Sequence, residues 1–108
     1  MIKNISVKDF SQDMKVDGEN LEVIDVREPE EYEEIRIKGS KLIPIGEIVK
    51  RIKEIDWAKK IILVCRSGAR STYAGELIRD NGYADKEVYN LNGGIAALNV
   101  AGCDCLEK

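Results

Sequence analysis

Residues 61–64 read Ile-Ile-Leu-Val, an apolar run with no polar alternation. A run this short suits a strand, and the missing alternation predicts a strand covered on both faces. Strands of that kind belong to parallel sheets, whose crossover connections carry helices to either side. The chain around the run must therefore supply further strands separated by helical segments.

It does so within 108 residues, one domain's worth of chain. Residues 1–5 read as a short first strand. Ser6, with Asp9 three residues on, predicts a capped helix reaching about residue 14, and residues 16–20 (VDGEN) predict a turn. Residues 21–26 (LEVIDV) are rich in β-branched side chains and predict a strand. Pro29 suits the first turn of a helix that residues 30–34 continue. Residues 41–45 (KLIPI) predict a second short extended segment. Ile48, Val49, Ile52 and Ile55 fall at helical spacing and predict a helix over 46–55. After the 61–64 strand a helix is predicted from Ser71, with Asn81-Gly82 as its C-terminal cap. Residues 87–91 (EVYNL) predict the last strand, 92–94 a turn, and 95–100 a short helix. The expected architecture is α/β, a small central parallel sheet with helices on both faces. A single domain over 1–108 is expected, with residues 103–108 as a short tail.

Composition narrows the function. Net charge is −3, from 17 basic and 20 acidic residues, which gives no electrostatic case for nucleic acid or an anionic membrane as partner. No stretch approaches the ~18 apolar residues of a membrane helix. The opening MIKNISVKDF lacks the apolar segment of a signal peptide, so the expected location is the cytoplasm. The cysteines are Cys65, Cys103 and Cys105, an odd number that argues against a disulfide scaffold. The chain has no histidine, which excludes Ser-His-Asp and Cys-His couples and Cys/His zinc sites. No metal site and no cofactor are expected. Any nucleophile here is activated without an imidazole.

The 61–64 strand ends directly on Cys65-Arg66-Ser67-Gly68-Ala69-Arg70-Ser71. In parallel sheets ligand sites lie beyond the carboxyl ends of the strands. A short loop of small residues there lets successive backbone N–H groups turn inward as an anion-binding nest. The following helix aims its positive end at the same point. Both effects stabilise a thiolate without a base. Arg66 and Arg70 add positive charge for an anionic substrate, and the Ser67 and Ser71 hydroxyls can donate to a bound oxyanion. Ser71 can equally be only the helix cap. A buried structural cysteine between two surface arginines is the plain alternative.

Asp25 and Arg27, at the end of the 21–26 strand, should face the same side. They either brace the loops around the pocket or form an ordinary salt bridge. Glu28, Glu30, Glu31, Glu33 and Glu34 read as a solvated helix face or a partner surface. Gly93-Gly94 suits a tight turn beside the pocket. Trp57 reads as a core or surface anchor. Cys103-Asp104-Cys105 lacks partners for zinc; the pair is either incidental or part of a mobile tail that brings a second thiol to Cys65.

Three stretches together carry a resemblance: DVREPEEY (25–32), CRSGARS (65–71) with its helix, and YNLNGGI (89–95). In this order and spacing the chain resembles the rhodanese-like sulfurtransferases over almost its whole length. The resemblance implies a rhodanese-type α/β domain in which Cys65 takes a sulfane sulfur as a persulfide and passes it to a thiophilic acceptor. The implied partners are a small anionic sulfur donor, thiosulfate or a persulfide or polysulfide, and a cyanide or thiol acceptor. A sulfur-relay protein is a further candidate partner. A non-catalytic carrier or interaction module is the alternative from another class. In cysteine phosphatases the clamping arginine stands one residue further on; here Ser71 holds that position and Arg70 precedes it, a smaller cradle suited to sulfur. The chain departs from the family where Ile35-Arg36 replaces a frequent Gly-His and Leu98 a frequent Trp. Ile35 implies an altered local turn, Arg36 either a charged pocket rim or a solvated side chain, and Leu98 core packing.

Overall fold

The computed structural model describes residues 2–108. The strand over the apolar run is β5 (Lys60–Val64), and it lies at the centre of the sheet. Around it stand β1 (Ile2–Ile5), β2 (Leu21–Asp25), β4 (Lys41–Leu42) and β6 (Val88–Leu91), in the order β1-β6-β5-β2-β4. Every pairing in this five-stranded sheet is parallel. The first predicted strand begins at Ile2; Met1 lies outside the described residues.

The two faces of β5 explain its composition. Ile61 and Leu63 pack with Ile24, Ile48, Ile52, Ala74 and Ile78 on one side of the sheet. Ile62 and Val64 pack with Phe10, Val23, Leu91, Ile95 and Leu98 on the other. The first side is covered by α3 (Ala69–Ile78), the second by α1 (Val7–Asp17) and α4 (Gly94–Val100). Each fully buried Ile or Leu here contributes about 1.5–3 kcal/mol, which is why no polar residue interrupts the strand. Leu98 is fully buried in this layer, the packing role read from the sequence.

Ser6 caps α1 by accepting the Asp9 N–H at 3.0 Å, and the helix runs one turn beyond the predicted end. Pro29 opens α2 (Pro29–Glu34). The predicted helix over 46–55 does not form. Two isolated 3₁₀ turns, Ile45–Glu47 and Ile52–Glu54, bury Ile48, Ile52 and Ile55 and leave Val49 exposed. Side chains from outside tie the second turn down: Lys41 Nζ donates to Glu54 O at 2.8 Å and Trp57 Nε1 to Ile52 O at 3.4 Å. Trp57 also stacks on Tyr83, centroids 4.7 Å apart, as an anchor under these turns.

The largest departure is at the C-terminus. Residues 103–108 do not hang free. β7 (Leu106–Glu107) pairs antiparallel with β3 (Arg36–Ile37). Cys105 is buried, and a disulfide joins Cys103 to Cys105. The bridge spans two residues, so its loop-closure contribution lies at the low end of the ~0–5 kcal/mol range for disulfides. A Cys103→Ser/Cys105→Ser protein should therefore lose only a few degrees in Tm, while its C-terminus becomes the first site of limited proteolysis. A fall of Tm on the scale of a core truncation would show that the bridge holds the whole fold. No helix among the described residues is long and apolar enough to cross a membrane.

Candidate active site

Three loops meet beyond the carboxyl ends of β2, β5 and β6. The Val26 N–H donates to Val64 O at 2.9 Å, which carries the β2–β5 pairing one step past β2. The loop after β5 begins at Cys65, which is 1% exposed. The Gly68 N–H donates to Cys65 Sγ at 3.0 Å, closing the loop over the sulfur. Gly68 has φ +111°, which a side-chain-bearing residue adopts only with strain, so the small residue at this position is required by the turn. Gly68, not Ser71, is the cap of α3, and the helix starts two residues earlier than its sequence pattern indicates.

Ser71 instead lies fully buried beneath the thiol. Its Oγ is 3.4 Å from Cys65 Sγ and 3.1 Å from Gly68 O, and it donates a short hydrogen bond to Asn90 Oδ1. Its single proton can go to only one of these acceptors at a time. Asn90, 4% exposed on β6, is held in turn by donating Nδ2 to Asn4 Oδ1 at 3.0 Å. The sequence reading did not single out Asn90; an amide within an apolar strand, three residues before Gly93-Gly94, is the signal that marks it. Burial pushes the Cys65 thiol up, but the Ser71 hydroxyl and the N–H groups of Ser71, Gly68 and Ser67 outweigh it, and the pKa lies below its ordinary value.

The Gly93-Gly94 turn locks this loop from behind. Both glycines have positive φ, +81° and +59°. They bring the start of α4 onto the loop, where the Ile95 N–H meets Cys65 O at 2.9 Å and the Ala96 N–H meets Arg66 O at 3.0 Å. A Cβ on Gly94 would stand 2.3 Å from Cys65 O and 2.6 Å from Arg66 O. Gly94→Ala must therefore push the loop off its position. The expected result is a loss of activity of about 10²-fold, the scale on which a 1 Å displacement of a reacting group acts. Gly18→Ala, which meets nothing within 4 Å, is the silent control. Equal activities for the two variants would contradict this placement of the loop.

Asp25 and Arg27 form a buried ion pair, their side chains 1% and 3% exposed. Arg27 Nε and Nη2 donate to the Asp25 carboxylate at 2.8–3.1 Å, and the Arg27 N–H adds a third anchor at 3.0 Å. Arg27 Nη2 also donates to Ile35 O at 2.6 Å, tying the end of α2 to the end of β2. The pair is buried, so it is not a surface salt bridge.

The two loop arginines differ. Arg66 is exposed at the mouth. Arg70 makes a bidentate pair with Glu31, at 2.7 and 2.8 Å. Glu31 also accepts the Glu28 N–H at 3.0 Å, so one member of the acidic run is structural and not merely solvated. The Arg70 guanidinium holds Glu31 down at about 2. The pair stabilises the fold at and above the ordinary Glu range near pH ~4.3 and loses that effect as pH falls toward 2. Both ends are about a third exposed, so it contributes no more than ~1 kcal/mol. Ser67 and Ala69 are exposed, the first giving only its N–H to the thiol and the second opening α3.

A cleft of about 400 Å³ lies between α2 and α4, with Arg66 the one residue of the 65–71 loop in its lining. Ile35 lines it, in extended conformation at φ −156°, so the departure from Gly leaves the local backbone unstrained. Arg36 does not line it. Its guanidinium pairs with Glu107 at 3.1 Å, donates to the carbonyls of Tyr32 and Glu33, and lies over the Tyr32 ring.

The model of the rhodanese-like domain matches residues 6–101. The chain belongs to the rhodanese-like family. A Bacillus subtilis relative named "Putative sulfur carrier protein YrkF" is 42% identical over 83% of the chain, and the chain spans only 47% of that protein's length. An Allochromatium vinosum sulfurtransferase is 34% identical, over 90% of the chain and 88% of its own length. A solved structure, a rhodanese-related protein from Thermoplasma volcanium, superposes with a TM-score of 0.78 at 31% identity, covering 93% of each chain.

Proposed function

We propose that this rhodanese-like chain is a sulfurtransferase that carries sulfane sulfur as a persulfide on Cys65. The single observation that carries the reading is the buried Cys65 sulfur beneath the Gly68 N–H, with the loop's own donors favouring its thiolate. Relatives named as sulfurtransferases support the same reading.

The Cys65 thiolate attacks the outer sulfur of the donor. The sulfur–sulfur bond of the donor breaks, and its electron pair leaves with sulfite from thiosulfate or with a thiolate from a persulfide. The new Cys65 persulfide takes the place of the thiolate among the loop N–H groups. A thiol or cyanide then attacks the terminal sulfur and regenerates Cys65. No general base is needed at either step, which fits a chain without histidine.

This covalent route predicts ping-pong kinetics, with parallel double-reciprocal lines when donor and acceptor are varied together. The loading step should rise with pH as Cys65 deprotonates, with a midpoint below that of an ordinary thiol. Intersecting lines would rule out a free persulfide intermediate. A midpoint at or above the ordinary thiol value would remove the role given to the loop donors.

A further inference from the structure

Among the described residues, Ser71 is the one side chain that donates to Cys65 Sγ; the Gly68 donor is backbone. The same hydroxyl donates to Asn90 Oδ1. Asn90 and Asn4 stand opposite each other in the pairing of β6 with β1, and Asn90 Nδ2 donates to Asn4 Oδ1 at 3.0 Å. That contact leaves Asn90 Oδ1 as the acceptor facing Ser71. Asn90 is 4% exposed, and Ser71 is the only donor to its Oδ1 among the described residues.

Two buried acceptors therefore compete for one proton. Ionised Cys65 draws it strongly, because hydrogen bonds to a charged acceptor are the stronger ones. Each time it turns to Sγ, Asn90 Oδ1 is left buried without a donor, which is penalised. Asn90 thus works against the loop N–H groups that favour the thiolate. The opposition has a use in sulfur transfer. Cys65 is the nucleophile when sulfur is loaded and the leaving group when sulfur is passed on. A more acidic thiol leaves faster but attacks more slowly.

The charges around Cys65 come from Arg66 and Arg70 of its own loop, from the Asp25–Arg27 pair at the end of β2, and from Glu31, which pairs Arg70. The α4 helix (GIAALNV) carries no charge, and Ile43 and Ile48 pack in the same core. On β6 the titratable group is Tyr89, whose hydroxyl donates to Glu87. All of these groups are the same in every variant used below.

We propose that Asn90 is a positioning residue that competes with Cys65 for the Ser71 proton and so balances loading against release of sulfur. This rests on the sulfurtransferase reading. The hydroxyl donates to Sγ while Cys65 is a thiolate and to Asn90 Oδ1 once Sγ is bonded to the outer sulfur. The O–H bond of Ser71 never breaks; only its hydrogen bond moves.

The test titrates the ultraviolet absorbance of the thiolate in the full chain, with Cys65→Ser as the blank. Asn90→Leu keeps the side chain's size, and exposed Asn4 can turn to water. Asn90→Val, smaller and suited to a strand, carries the same prediction should Leu not fold. Either variant should lower the Cys65 midpoint by about one pH unit. Above both midpoints, loading from thiosulfate should slow about threefold while release to cyanide accelerates. In a Ser71→Ala background the same substitution should move the midpoint by no more than about 0.3 unit, the scatter of uncoupled sites. A midpoint that stays or rises on losing Asn90, or an equal shift in both backgrounds, overturns the role given to Asn90 and leaves the sulfurtransferase reading standing. A wild type that no sulfur donor loads sinks that reading and the balance with it, whatever the titration shows.

Discussion

Cys65→Ser is expected to reduce sulfur transfer to the uncatalysed background. Serine matches the size of cysteine, and the site at Cys65 is buried and closed by the Gly68 N–H, so the fold should survive the change. The chemistry should not. Loop N–H groups and a helix end can hold a thiolate because a thiol ionises near neutral pH. They cannot ionise a hydroxyl, and the chain offers no histidine to take its proton. An unchanged Tm with turnover lost is the expected pair of results. Substantial turnover with Cys65 gone would move the sulfur-bearing role elsewhere, with the disulfide-bonded Cys103 and Cys105, once reduced, as the next cysteines to examine.

The largest expected loss of stability follows Asp25→Ala. The change strands the Arg27 guanidinium at 3% exposure with Ile35 O as its remaining buried partner. Removing one member of a buried pair costs about 3–5 kcal/mol. A domain of this size has ~5–15 kcal/mol in total. At ~4–8 °C per kcal/mol, the expected fall in Tm exceeds about 12 °C. Asp25→Leu/Arg27→Met should recover much of it, because no uncompensated charge is left. The double variant should still lose activity, since nothing then ties α2 to β2 beside the cleft. A single variant within about 2 °C of wild type would mean that Arg27 finds water or another partner.

The central features were legible because they are local. The strand 61–64 and the loop 65–71 are contiguous, and a strand end, small residues and a helix start specify an anion-binding turn together. The parallel sheet followed from the unbroken apolar run. The roles of individual loop residues were less legible. Arg70 and Ser71 looked alike as contributors to an anion site, yet Arg70 is paired with Glu31, 39 residues away, and Ser71 is turned under the thiol by Asn90 on another strand. Pairings at that separation leave no trace in residue order. Helical spacing over 46–55 was misleading because the same burial of Ile48, Ile52 and Ile55 is met by two short 3₁₀ turns. The docked C-terminus escaped because a two-residue strand has no period to detect.

Wild-type and Cys65→Ser proteins, each incubated with sulfur donor, desalted and weighed intact, address the central claim most directly. Wild type should gain the mass of one sulfur atom, localised to the peptide holding Cys65 and removed by cyanide. Cys65→Ser should gain nothing. No added sulfur on wild type from thiosulfate, glutathione persulfide or polysulfide, or equal gain by both proteins, would contradict a persulfide on Cys65.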